Sequence, residues 1–260
     1  MERRNAMFQS LLFGGNSGGG ESNEDALIER TITSIENSTA TQIGAWAFYS
    51  CTTLLNASFQ NVQSINNYAF AGCTNMTSVS FPAATSIGSS AFTQCTKLTS
   101  ADFPNVTSIG NQAFTSCTGL LSISFPELTA IGGNAFYRCS KLGTVVLPKV
   151  AIINSNAFMQ CYSLSMVSFD AASKLNQSAF MQCTHLLSVY FLGSSFCSLY
   201  FNDAFESTPI STYTASTGGV NGSIFVRASL YDTYIADSRW SPFSARFVSL
   251  TDAEIEALGQ

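Results

Sequence analysis

The dipeptide Ala-Phe returns every 22 residues along most of this 260-residue chain. It stands at Ala47-Phe48, Ala69-Phe70, Ala91-Phe92, Ala113-Phe114, Ala135-Phe136, Ala157-Phe158 and Ala179-Phe180. A cysteine follows each phenylalanine by three positions: Cys51, Cys73, Cys95, Cys117, Cys139, Cys161 and Cys183. Three further on comes Leu54, Met76, Leu98, Leu120, Leu142, Leu164 or Leu186. Five before each phenylalanine lies Ile43, Ile65, Ile87, Ile109, Ile131, Ile153 or Leu175. Several columns held in register over seven copies define a repeat protein before any other inference is drawn.

One unit reads Ile-Gly-x-x-Ala-Phe-x-x-Cys-x-x-Leu-x-x-Val-x-Phe-Pro. Its Val-x-Phe portion alternates apolar and polar residues, the period of a strand with one buried face. Pro82, Pro104, Pro126 and Pro148 follow that portion and stop the ladder, since proline offers no N–H. Gly44, Gly88, Gly110 and Gly132 after the isoleucine suggest a tight turn. At the same position Asn66, Asn154 and Asn176 would tolerate left-handed geometry. The Ala-Phe segment reads as a short helical turn on the opposite side. A single coil this short cannot bury its apolar edge, whereas stacked coils can. The expected fold is therefore a solenoid of seven 22-residue coils, mainly short parallel β-strands, with a cap at each end.

These columns resemble the BspA-like, or Treponema-type, class of leucine-rich repeats, over about residues 31–210. The resemblance implies a leucine-rich-repeat solenoid whose strands line a concave face. It also implies an adhesion or protein-binding role, often on surfaces of bacteria or other microbes. The last block resembles the C-terminal cap of bacterial members. Three segments follow: residues 1–24 as N-terminal arm and glycine-rich linker, 25–210 as solenoid with its N-terminal cap, and 211–260 as C-terminal cap. Leu27, Ile28, Ile32 and Ile35 are expected to cover the open N-terminal edge. In the C-terminal block, Ser223-Ile224-Phe225-Val226 reads as a strand. Ser229 is expected to cap a helix bearing Leu230, Tyr231, Tyr234 and Ile235 on one face. Thr251 and Glu254 have the spacing of a capping box.

Only 10% of the residues are charged, against roughly 25% in an average soluble domain. No basic stripe is present, which argues against a nucleic-acid partner. No apolar run approaches the length of a membrane span. The first 13 residues read as a short arm rather than a signal peptide, and their Met7, Phe8, Leu11, Leu12 and Phe13 are expected to dock into a larger assembly.

Catalytic signals are weak. Gly15-Asn16-Ser17-Gly18-Gly19 has the Gly-x-Ser-x-Gly form, but in a glycine linker rather than a strand-turn-helix setting. His185 is the single histidine and falls in a variable, exposed slot. Asp232, Asp237 and Arg239 read as a solvated helix face. The cysteine column reads as small core filling rather than as disulfides or zinc ligands; Cys197 lies outside it. No cofactor and no metal are expected.

The strand alternation instead points outward. Ser78, Ser100 and Ser122 precede the Val column, and Ser80, Asp102, Ser124 and Tyr190 follow it. This hydroxyl-rich row is the expected binding surface for a protein or glycan ligand, with Asp102 and Tyr190 as distinctive contacts. The sequence thus leads to a non-enzymatic recognition module on a bacterial surface or phage particle. A structural spacer without a specific ligand is the alternative.

Overall fold

The computed structural model describes residues 32–37, 39–211 and 221–258. Among these, the chain winds as a stack of coils, each contributing one longer and one very short strand. The longer strands begin at Ser34–Asn37 and Asn56–Phe59 and recur once per coil through Ser188–Phe191. Ser223–Arg227 and Phe247–Leu250 then continue the row. These ten strands fall into parallel sheets of three, two and five. The shorter strands run from Gln42–Ile43 to Ser198–Leu199 and form one eight-stranded parallel sheet. That second sheet carries the Ile column, every member of which is buried. Residues 22 apart therefore lie side by side, as in the pairing of Ile65 with Ile87 and Ile109 with Ile131.

The Ala-Phe segment differs from the helical turn expected. It is a run of consecutive turns with left-handed residues four apart, as at Tyr68 (φ 58°) and Gly72 (φ 77°). The amides along it point in two directions by turns. Tyr68, Phe70 and Gly72 donate to Ser89, Ala91 and Thr93 of the next coil at 2.8–3.0 Å. The intervening Ala69, Ala71 and Cys73 close turns within their own coil at 3.1–3.3 Å. Every backbone N–H of the segment thus has a partner, as a buried edge requires.

The glycines after the isoleucines serve close approach rather than left-handed geometry. Gly72 is the single positive-φ glycine among the described residues. A Cβ on Gly88, Gly110 or Gly132 would stand 2.3–2.6 Å from backbone atoms of the preceding coil.

Two phenylalanine stacks fill the interior. Phe48, Phe70, Phe92, Phe114, Phe136, Phe158, Phe180 and Phe205 follow one another at centroid distances of 5.0–5.6 Å, within 13° of parallel. Phe59, Phe81, Phe103 and Phe125 form a second file at 5.4–6.0 Å. The files meet edge-on, as at Phe70 and Phe81, where the planes are 60° apart. Each ring is buried, and burying one such side chain contributes about 1.5–3 kcal/mol. The cysteines do more than fill space. Six of them, from Cys73 to Cys183, each direct Sγ at the carbonyl of a phenylalanine in the preceding coil, at 3.0–3.2 Å.

After Phe191 the repeat lengthens to 25 residues, yet an eighth coil forms. Leu199 pairs with Leu175, and Phe205 stacks on Phe180 at 5.6 Å. One of the extra residues is absorbed between Leu199 and Ala204. In earlier coils the left-handed residue donates its N–H to a carbonyl, as Asn156 does to Gln177 at 3.0 Å. Here Ser178 donates instead to the Asp203 carboxylate, from N at 3.2 Å and from Oγ at 2.7 Å. The bond from Phe180 N to Ala204 O at 2.9 Å restores the register. Tyr200, Phe201 and Asn202 are left on the surface.

The C-terminal block closes the stack. A 3-10 turn, Ala228–Leu230, leads into helix α1, Tyr231–Ala236, without the side-chain cap expected from Ser229. Tyr234 is buried and Leu230, Tyr231 and Ile235 pack beside it. Cys197, which the repeat could not place, is gripped by this cap. Its N–H donates to Tyr234 Oη at 2.9 Å, and its carbonyl accepts from Trp240 Nε1 at 2.8 Å. The Thr251–Glu254 capping box opens helix α2, Asp252–Ala257. At the other end Ile35 is buried and Ile32 partly so; Leu27 and Ile28 lie outside the described residues, as does the whole N-terminal arm.

Candidate binding face

Parallel pairing without slippage turns equivalent positions into straight columns across the long strands. Immediately before the Val column stand Asn56, Ser78, Ser100, Ser122 and Thr144, all exposed. Asn56 Oδ1 accepts from Ser78 Oγ at 2.6 Å, so the row begins with a hydrogen-bonded pair. Immediately after the Val column stand Ser80, Asp102, Ser124 and Val146, also exposed. Ser100 pairs with Ser122, and Asp102 with Ser124. The seven residues singled out by alternation thus share one face, and six of them are exposed.

The seventh, Tyr190, is half-buried for a reason the sequence pattern missed. The strand Ser223–Arg227 lies directly beside it and puts Phe225 opposite Tyr190. The rings stack at 4.4 Å and 9°. Ser168, the neighbour on the other side, is buried. The strand itself was legible in Ser223-Ile224-Phe225-Val226; its place beside Tyr190 was not, because residues 192–222 intervene without the repeat spacing.

The face therefore changes character along its length. Its first half is small and hydroxylic, with Asp102 as its carboxylate. Its second half holds exposed Val146 and Val248 in one column, with buried Ser168 and the Tyr190–Phe225 pair between them.

Other candidates have structural employment. His185 is exposed, and its Nδ1 lies 2.7 Å from Tyr162 O in the preceding coil. Asn75, in the same slot of an earlier coil, makes the equivalent bond to Thr52 O at 2.7 Å. Asp237 Oδ1 accepts from the N–H groups of Arg239 and Trp240 at 2.9 and 3.1 Å and so fixes a turn. Burial pushes the thiols of Cys73, Cys95, Cys139, Cys161, Cys183 and Cys197 up, away from thiolate formation. Thiolates are the nucleophiles and metal ligands. Among the described residues no group of three or more His, Cys, Asp or Glu side chains is placed to hold a metal ion. The Gly15–Gly19 segment lies outside the described residues.

The BspA type Leucine rich repeat region matches residues 24–142 and 107–225, with six copies of its repeat. The chain belongs to that family. Among solved structures, this BspA-type chain is similar to the leucine-rich-repeat protein TpLRR of T. pallidum. The two are 27% identical with a TM-score of 0.54, over 59% of this chain and 78% of that one. It is also similar to a leucine-rich cell surface protein of Faecalibacterium prausnitzii, at 21% identity and a TM-score of 0.39, covering 88% and 81%. The pneumococcal vaccine antigen PcpA gives 12% identity and a TM-score of 0.46, covering 85% and 67%. No curated protein matches the chain. The family is one of non-enzymatic repeat proteins suited to protein interaction. No helix among the described residues is long and apolar enough to cross a membrane.

Proposed function

We propose that this BspA-type repeat protein is a non-catalytic recognition module that binds a protein or glycan ligand on the long-strand face. One observation carries the reading: one strand column exposes Ser80, Asp102, Ser124 and Val146 and, past the buried Ser168, ends on Tyr190 stacked on Phe225. Small hydroxyls permit close approach, one carboxylate fixes polarity, and an aromatic pair supplies contact area. Rigid aromatic residues contribute heavily to recognition because little side-chain freedom is lost on binding. Ser78, Ser100 and Ser122 flank that column as further contacts. Display on a bacterial surface or a phage particle fits the family and the sparing use of charge.

The test uses the full chain against glycan arrays and intact cells. Saturable binding that is abolished in the Asp102→Ala/Tyr190→Ala double variant supports the assignment. Binding that survives both substitutions refutes this placement. A chain that gives no saturable signal on any surface acts as a spacer.

A further inference from the structure

Between Leu199 and Ala204 the eighth coil breaks the repeat and rebuilds it with Asp203, and the residues displaced there line a cleft. Tyr200, Phe201, Asn202, Ser238 and Arg239 line an open depression of about 320 Å³ between the last coil and the cap. Tyr200 and Phe201 are 48% and 45% exposed, large values for aromatic side chains held edge to face at 4.7 Å. In the seven preceding coils the position of Tyr200 is glycine or asparagine. The aromatic pair is therefore particular to this coil and unnecessary to the stack.

Two cations lie near the same ring, Arg239 within the cleft's lining and Lys174 outside it. Lys174 Nζ lies 4.6 Å from the Tyr200 centroid and Arg239 Cζ lies 5.8 Å from it. Arg239 anchors one guanidinium nitrogen on Leu199 O at 3.0 Å, and the residue is otherwise exposed. Neither cation is in a salt bridge among the described residues; the two pairs present are Lys149–Glu127 and Arg227–Asp252. In a chain with a net charge of −5, two cations outside any salt bridge among the described residues, beside exposed aromatic rings, favour an anionic ligand. Asn202 and Ser238 add an amide and a hydroxyl, which serve neutral polar groups rather than a second charge.

We infer that this cleft binds an acidic saccharide, a sugar ring bearing a carboxylate. The carboxylate meets Arg239, with Lys174 adding positive charge beside the Tyr200 ring, the apolar face of the sugar lies against Phe201, and the ring hydroxyls meet Asn202 and Ser238. A planar guanidinium is suited to a carboxylate, and a pocket of this size lies at the small end of ligand sites. The aromatic face and the neutral polar pair favour a sugar acid over bare phosphate. The site is separate from the long-strand face and stands whether or not that face binds anything.

Calorimetry with tetragalacturonate tests the assignment, with its fully methyl-esterified form, inorganic phosphate and an Asp/Glu tetrapeptide as comparison probes. The expected result is saturable binding of the acid form at least about tenfold stronger than of the ester, the size of effect a charge-assisted contact gives. Lys174→Gln/Arg239→Gln and Phe201→Ala each weaken binding by about tenfold or more with an unchanged melting temperature. Asp102→Ala/Tyr190→Ala leaves it unaltered. Lys174→Gln alone covers the case in which loss of the Arg239 bond to Leu199 disturbs the cap. Equal binding of acid and ester, undiminished binding in both cation variants, or equal binding of phosphate or of the peptide overturns the inference.

Discussion

The Cβ that Gly132 lacks would stand 2.3 Å from the carbonyl carbon of Gly110, one coil earlier. A Cβ on its neighbour Gly133 would meet only ordinary van der Waals contacts, the nearest atom being Ser155 O at 3.5 Å. The two adjacent glycines therefore answer differently to the same substitution. Gly132→Ala forces backbone against backbone and is expected to cost about 2 kcal/mol or more, in the range of overpacked cores. Gly133→Ala is expected to change stability by less than about 0.5 kcal/mol, as surface changes usually do. Urea unfolding of the two variants checks the contrast, and equal losses would show that the coils can spread.

The cysteine column is expected to be chemically silent while the chain is folded. Burial holds the thiols of Cys95, Cys139 and Cys161 well above their ordinary range, so thiolate is scarce even in mildly alkaline solution. A disulfide reagent at pH 8 should modify none of them until denaturant is added. Rapid labelling of the folded chain would contradict the packing. Cys139→Ala removes both a buried sulfur and its bond to Phe114 O at 3.2 Å, and about 1–2 kcal/mol of stability should go with them.

Trp240 is expected to hold the cap in place through one bond. Trp240→Phe keeps most of the ring area but leaves the buried carbonyl of Cys197 without the donor it now has at 2.8 Å. An unsatisfied buried acceptor costs about 1–3 kcal/mol. Thermal unfolding should register that loss, and limited proteolysis should cut within residues 221–258 sooner than in the parent chain.

Asp170 sits where four earlier coils carry proline, with Oδ1 buried and no hydrogen-bond partner there. Desolvation raises its pKa, and the nearby Arg227 guanidinium offsets part of that rise. A raised folded-state pKa means the folded chain holds the proton more tightly than the unfolded one. The stability gained by protonation is complete below the unfolded pKa and lost as pH rises through the folded pKa. Asp170→Asn, which mimics the protonated form, should therefore melt about 1–3 °C higher at pH 7. The advantage should vanish as the medium is acidified below the unfolded aspartate pKa of about 3.9. A variant less stable than the parent at pH 7 would mean that attraction to Arg227 outweighs desolvation.

The repeat and its buried columns were legible because one side chain per position recurs at a fixed spacing. Ile65, Phe70, Cys73 and Leu98 are all buried. The outward direction of Ser80 and Asp102 followed from strand alternation. Less was legible where geometry is set between coils. The left-handed backbone of Tyr68 and Gln94 leaves no common residue type, since Ser, Gln and Asn serve the same positions. The thiol-to-carbonyl bonds span 25 residues rather than the 22 of the repeat. No periodic pattern reveals them. The cleft beside Tyr200 and the stacking of Phe225 on Tyr190 arise where the spacing fails, so no column could place them.

The bonds that join one coil to the next have a genetic counterpart. Each coil touches only those on either side, so excising or duplicating a unit of coding sequence rejoins two surfaces already matched to each other. Recombination between repeats can lengthen or shorten the molecule without touching the cap that Trp240 and Tyr234 clamp onto its end. The distance between the two ends can thus vary between lineages in steps of one layer.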